Sequence, residues 1–126
     1  MPREVVHTDQ APSSPMWSQG VKAGDHVFVS GMVGIDATTG KLAGETIQEQ
    51  TLKALANCLA VVEAAGGTAD DVVDVTVLLA DPDDFQGMNE VYASVFTTDP
   101  PARNTPRLGP ALPGVRVSIR MTAILK

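Results

Sequence analysis

The sequence predicts an α+β domain, a mostly antiparallel sheet with two helices packed on one face. Three observations carry this expectation. The chain has 126 residues, room for a single domain over 1–126 at about 100–200 residues per domain. Its composition, 44% hydrophobic and 19% charged, is that of a protein with a packed core rather than a disordered chain. Proline and glycine divide it into intervals that alternate between strand-type and helix-type periodicity.

Val27-Phe28-Val29-Ser30-Gly31 is a β-branched and aromatic run ending at glycine, and the turn formers Asp36-Ala37-Thr38-Thr39-Gly40 follow it. They read as a strand and then a loop or hairpin. From Thr46 to Ala65, the positions Ile47, Thr51, Ala54, Leu55, Cys58, Val62 and Ala65 recur at three-and-four spacing, with Glu49, Lys53 and Glu63 opposite. This is a helix, stopped by Gly66-Gly67. Val72 to Leu79 is β-branched and ends at Asp81-Pro82, hence a strand. Alternation places Val73, Val75, Val77 and Leu79 on one face and Val72, Asp74, Thr76 and Leu78 on the other. A second helix is expected over about residues 83–96, with Phe85, Met88, Val91, Tyr92 and Val95 as its apolar stripe and acidic residues in its first turn. Beyond Asp99-Pro100-Pro101, Ala102-Arg103-Asn104-Thr105 reads as a short strand, and Val115 to Leu125 as a final alternating one.

Two helices cover one sheet face only. The other carries Val72 and Leu78 beside polar groups, so a partner subunit is expected to cover part of it; a twisted sheet with some exposed apolar side chains is the alternative.

Nine Lys and Arg against fifteen Asp and Glu give a net charge of −6. That is the wrong sign for general affinity to phosphate backbones, so nucleic acid is not an expected partner. The start of the chain, from Met1 to Thr8, has no apolar run of signal-peptide length. The longest helix carries charges that exclude a membrane span. A soluble, cytoplasmic protein is expected. The single cysteine, Cys58, allows no disulfide within the chain and lies on an apolar helical stripe, as a core residue would.

Phosphate loops, paired-histidine metal signatures and nucleophile elbows are absent from the sequence. His7 and His26 share no ligand spacing and read as surface or hydrogen-bonded residues. Asp81, Asp83 and Asp84 lack the glycine and terminal glutamate of a calcium loop and read as helix capping. The informative feature is arginine. Period two puts Arg116, Ser118, Arg120 and Thr122 on one side of the last strand, with Val117, Ile119 and Met121 on the core side. Arg103 is expected to lie beside them and to complete a cationic site for a carboxylate, since guanidinium offers a planar bidentate fork. Pairing of these arginines with acids of the same or a neighbouring chain is the alternative.

An ordered set of short motifs points further. Ser18-Gln19-Gly20, Val27 to Gly31, Val62 to Gly66, Val73 to Leu79, Asp84-Phe85, Met88-Asn89-Glu90-Val91-Tyr92, Pro101-Ala102-Arg103 and Leu112-Pro113 resemble the YjgF-like Rid family of enamine/imine deaminases over about residues 11–125. The resemblance implies a chorismate-mutase-like fold and a homotrimeric barrel with ligand clefts between subunits. It also implies hydrolysis of enamines or imines to keto acids and ammonia, a metabolite damage-control activity that needs no metal or organic cofactor. Arg103 matches the carboxylate-clamping arginine. Ser30 and Gly31 match the strand end lining the cleft, Trp17 falls near the aromatic residue of the closing N-terminal loop, and Asn89 falls at the helix asparagine. Thr105 stands where a cysteine is common and is assigned to ligand orientation.

The chain departs from the family pattern in its last strand, where Ser118-Ile119-Arg120 replaces a Glu-Ile-Glu run. A guanidinium cannot serve as a general base at neutral pH, and no residue is assigned as the catalytic base. Arg120 is expected to bind a second anionic group of the ligand or to stabilise developing negative charge. Three functions follow: an imine hydrolase of the 2-iminobutanoate/2-iminopropanoate type, a non-catalytic sensor of a dicarboxylate or keto acid, and an RNA-directed endoribonuclease or translation inhibitor, the last opposed by the net charge.

Overall fold

A computed structural model describes residues 2–126. Strands β1 (Arg3–Val6), β2 (Gly20–Ala23), β3 (His26–Val33), β4 (Val72–Leu79), β5 (Ala102–Asn104) and β6 (Val117–Ile124) form one sheet in the order β1-β2-β3-β6-β4-β5. All neighbours are antiparallel except β4 and β5, which run parallel. The helices α1 (Ile47–Ala64) and α2 (Phe85–Val95) pack together, and α1 lies on β3 and β6. The predicted α+β class holds, with two helices on one face. The short strands β1 and β2 were not expected, because four-residue segments such as Gly20-Val21-Lys22-Ala23 are too brief to show a period.

α1 begins where its sequence says it should. Thr46 caps it, its hydroxyl accepting from Glu49 N at 3.1 Å while the Glu49 carboxylate accepts from Thr46 N at 3.3 Å, a reciprocal capping box. It ends at Gly66, whose φ of 100° only glycine adopts without strain. The expected second helix starts two residues late, because Pro82–Asp84 forms a separate 3-10 turn capped by Asp81. The acidic residues therefore occupy that turn rather than the first turn of α2.

The core lies between α1 and the sheet. Val117, Ile119, Met121 and Ala123 of β6 are fully buried, as are Val27 of β3, Val75 and Val77 of β4, and Leu55, Cys58, Val61 and Val62 of α1. One expected alternation is corrected. The ladder from β4 to β6 runs Val72 to Ala123 and then Asp74 to Thr122, so two residues of β4 oppose one of β6. This bulge turns Val72 into the core and leaves Val73 42% exposed, reversing their predicted faces.

Three buried amides fasten the loops. Gln19 donates to the carbonyls of Thr8, Ala11 and Pro12, each at 2.9 Å, and accepts from Thr8 N at 2.7 Å. Gln50 donates to the carbonyls of Gly44 (3.1 Å) and Gly114 (2.9 Å) and accepts from Arg116 N (2.8 Å). Asn57 donates to the carbonyls of Val33 and Ile35. Among the described residues, no helix is long and apolar enough to cross a membrane.

Two outcomes are expected from this packing. Gln50→Ala strands two carbonyls and an amide, and should lower unfolding free energy in urea by on the order of 1–3 kcal/mol. Cys58 is fully buried, its thiol donates to Ile119 O, and burial pushes its pKa well above the ordinary thiol range. It should resist aromatic disulfide reagents in the native protein and react at once in denaturant.

Candidate functional site

The structure divides the sequence-derived candidates into two groups on opposite faces of the sheet. The first surrounds Arg103. In the parallel ladder Arg103 stands opposite Val75, which stands opposite Met121, and Val75 and Met121 point into the core. Arg103 thus projects toward the helices, where α2 receives it. Its Nη1 donates to Asn89 Oδ1 at 2.8 Å, and the guanidinium lies 4.7 Å from the Tyr92 ring centroid and 5.8 Å from that of Phe85. Met88 Sδ is 3.8 Å away. Asn89 and the two rings sit at spacings of four and three along α2, so one helical face presents all of them. The arrangement holds the planar cation by stacking on one side and by a single neutral acceptor, leaving other N–H groups to take an anion. Thr105 follows immediately after β5, two residues on.

The second group lies on the face without helices. Between the pairs Val29 to Met121 and Met32 to Ile119, the residues Ser30 and Gly31 oppose the single Arg120. This bulge brings the predicted strand end beside Arg120. Across the same row Arg120 faces Thr76, which faces Asn104, and the Thr76 hydroxyl is 2.7 Å from Asn104 Oδ1. Arg120 Nη1 is 3.8 Å from Asp74 Oδ2, and Nη2 is 3.3 Å from the Thr122 hydroxyl. Gly31 lets the bulge lie close to Ser118, since a Cβ on it would meet Ser118 Oγ at 3.3 Å. Ser30 Oγ donates to Ser18 O, tying the bulge to the loop that carries the part-exposed Trp17.

The expectation that Arg103 lies beside the last-strand arginines is therefore corrected. The register offsets it by one residue from Arg120, which in a sheet means the other face. Arg116 also leaves the predicted row. It precedes β6, donates to Glu45 O at 2.7 Å and pairs with Asp84 at 3.1 Å, and with Lys41, Leu42, Glu45, Asp81 and Asp84 it lines a recess of about 710 Å³. Phe85, Tyr92 and Asp74 were not among the candidates. For Phe85 and Tyr92 the helical stripe gave a signal, but it read as core packing; for Asp74, only the sheet register identifies the partner. His7 and His26 lie at the surface against Asp9 and Asp25. Among the described residues no cluster of three metal-ligating side chains occurs.

A family model described as Endoribonuclease L-PSP matches residues 8–125. The chain belongs to this family, the YjgF-like Rid proteins. A RutC family protein of Saccharolobus solfataricus, SSO3206, is 47% identical over 105 residues, spanning 82% of each chain. The Mus musculus protein named 2-iminobutanoate/2-iminopropanoate deaminase is 36% identical over 123 residues, covering 97% of this chain and 91% of that one. The solved structure of E. coli TdcF with bound serine matches at a TM-score of 0.91 and 30% identity, covering 98% of this chain and 99% of that one.

In this Rid-family chain the Tyr92 phenol that supports Arg103 is itself perturbed by its surroundings. Burial pushes the Tyr92 phenol above its ordinary pKa, the Arg103 guanidinium draws it down, and Asp74 adds to the rise. A phenol that keeps its proton in the folded state while the unfolded chain gives it up makes stability fall with rising pH. That fall starts near the ordinary tyrosine value of about 10. Urea unfolding at pH 9 and pH 11 should therefore show a smaller alkaline loss in Tyr92→Phe than in the natural sequence.

Proposed function

We propose that the protein is a cytoplasmic homotrimer that binds a small carboxylate-bearing metabolite in clefts completed between subunits. We also propose that it hydrolyses enamines or imines there, to a keto acid and ammonia. The observation that carries this reading is Arg103, held by Asn89 and two aromatic rings with donors left over for a carboxylate. Support also comes from the deaminase name of the mouse relative and from the serine, itself a small carboxylate, in the TdcF structure. The sheet face without helices, where Phe28 is 44% exposed, is the surface on which neighbouring subunits would pack. Such packing would bring the Arg120 row of one subunit toward the Arg103 group of another and so join what the register separates.

The reaction asks little of the protein. An enamine such as 2-aminoacrylate gains a proton at its terminal carbon, gives one up from nitrogen and becomes the imine. Water then adds its oxygen to the imine carbon and one proton to nitrogen, and the hydroxyl of the resulting carbinolamine passes its proton to nitrogen as the C–N bond breaks, releasing ammonia and leaving the carbonyl. Fixing the carboxylate and admitting water accelerates such a step by orientation alone. Arg103 anchors the substrate, Ser30, Gly31, Thr105 and Asn89 orient it, and Trp17 excludes solvent. Arg120, in place of the family's carboxylate, stabilises negative charge rather than accepting a proton.

Arg120 also favours a second reading, a binding protein that senses a keto acid or dicarboxylate without turnover, because its cation suits a dianion better than it suits water activation. RNA cleavage fits the net charge of −6 poorly.

The deciding assay is ammonia and keto-acid release from enzymatically generated 2-aminoacrylate. Acceleration by the natural sequence, reduced at least about a hundredfold in Arg103→Ala, supports hydrolysis, since the charge-assisted anchor is lost. Acceleration found only in Arg120→Glu assigns the natural protein to sensing.

A further inference from the structure

Arg103, Arg116 and Arg120 differ in how much of their hydrogen-bonding capacity the chain itself takes up. Arg116 is committed to structure. Its Nε donates to Glu45 O at 2.7 Å and its Nη1 at 3.1 Å to Asp84, whose carboxylate is only 14% exposed. Arg103 meets one neutral oxygen acceptor and two rings. Arg120 stands between these cases. The carboxylate within its reach, Asp74 Oδ2, is 3.8 Å from Nη1, beyond the roughly 2.7–2.9 Å of a charge-assisted hydrogen bond. Its Nη2 meets the Thr122 hydroxyl at 3.3 Å and Met121 O at 3.4 Å, both long. Arg120 is 35% and Asp74 52% exposed, and an open ion pair of this kind contributes little to stability. The register explains where the guanidinium goes. Arg120 opposes Thr76 and the Ser30–Gly31 bulge, while Asp74 opposes Thr122, two residues further along β6. Asp74 and Thr122 therefore draw the guanidinium along the strand, to one side of the bulge.

We propose that Asp74 is a specificity-determining residue, a carboxylate that competes with the ligand for Arg120. The ligands it governs are 2-oxo or 2-imino acids that carry a second carboxylate. Such a group makes with the guanidinium the two short, parallel bonds that Asp74 does not make, and so displaces Asp74. A monocarboxylic acid leaves the pair as it stands. Asp74 also sets the charge that an approaching anion meets. With its carboxylate beside Arg120 the pair is neutral overall, and the flanking Thr76, Asn104 and Thr122 carry no charge. Without that carboxylate the row presents one positive charge. The looseness of the pair is what lets a ligand exchange with it, where the Arg116 pair, reinforced by a short bond to Glu45 O, belongs to the scaffold. The inference rests on the reading that Arg103 anchors the first carboxylate and that subunit packing brings the Arg120 row to it.

Calorimetric titration of the full-length protein with 2-oxopentanoate and 2-oxoglutarate, acids of equal chain length that differ in the second carboxylate, tests it. Asp74→Asn should tighten 2-oxoglutarate at least about fivefold, since the natural carboxylate both competes for the guanidinium and repels the ligand. The same variant should move 2-oxopentanoate by less than about twofold, and Asp74→Glu, which restores the competing charge, should behave like the natural sequence. The gain should vanish in the Asp74→Asn, Arg120→Gln double variant, the result that couples the two residues. Equal shifts for both acids in Asp74→Asn, no shift for either, or a gain that survives Arg120→Gln overturns the role of Asp74 and leaves the Arg103 anchor standing. Binding of neither acid, by the natural sequence or by Asp74→Asn, overturns the anchor and this inference together.

Discussion

The pairing of β6 between β3 and β4 is the constraint from which the other placements follow. Its core side, Val117, Ile119, Met121 and Ala123, is wholly buried, and a strand with one face so committed cannot slip by a single residue without turning all four toward the opposite side. The candidate residues of the sheet are positioned by counting from that register. Arg120 is out of the core because Ile119 and Met121 are in it. Ser30 and Gly31 meet Arg120 because the β3 ladder accommodates an extra residue there. Arg103 reaches α2 because it is in register with Met121, through Val75.

The loops depend on a different interaction. Gln19, Gln50 and Asn57 are buried amides whose donors terminate on backbone carbonyls, all in irregular segments except that of Val33 at the end of β3. A buried loop carbonyl with no partner is costly, and an amide side chain is the smallest group that supplies donors and an acceptor at one point. Gln50 fixes the approach to β6 through Arg116 N, so the same residue that anchors a loop also sets where the central strand begins. Gln19 shapes the N-terminal loop that carries Trp17.

Most of the architecture was legible because its elements are long enough to display a period. The eighteen residues of α1 and the eight of β4 and β6 were read nearly to their ends. What the residues did not reveal depends on counting across strands. The bulge at Val72 has no local marker such as glycine, so its exchange of faces with Val73 is visible only against β6. The separation of Arg103 from Arg120 is likewise a fact of pairing, since Pro101-Ala102-Arg103 looks the same whichever face it serves. The motif order from Ser18 to Pro113 carried family membership despite these local errors, because it depends on sequence identity rather than on side-chain direction. Arg116 was misplaced for a simpler reason: alternation was extended two residues ahead of the start of the strand, from Val115 rather than Val117.

The central position of β6 has a consequence for how the molecule comes into being. The strand on which both halves of the sheet depend is the last of the six to leave the ribosome. Until it does, β3 and β4 each present an unpaired edge, and α1 has no complete surface to rest on. Native structure must await nearly the whole chain, since pairing of β3 with β6 closes loops of about ninety residues, such as that from Val29 to Met121. Folding of such a topology is slow relative to helical domains of the same size. The interval in which nascent chains are vulnerable to edge-to-edge association is thus set by the order of synthesis, and a cell making this protein would need to shield the growing chain from its own copies.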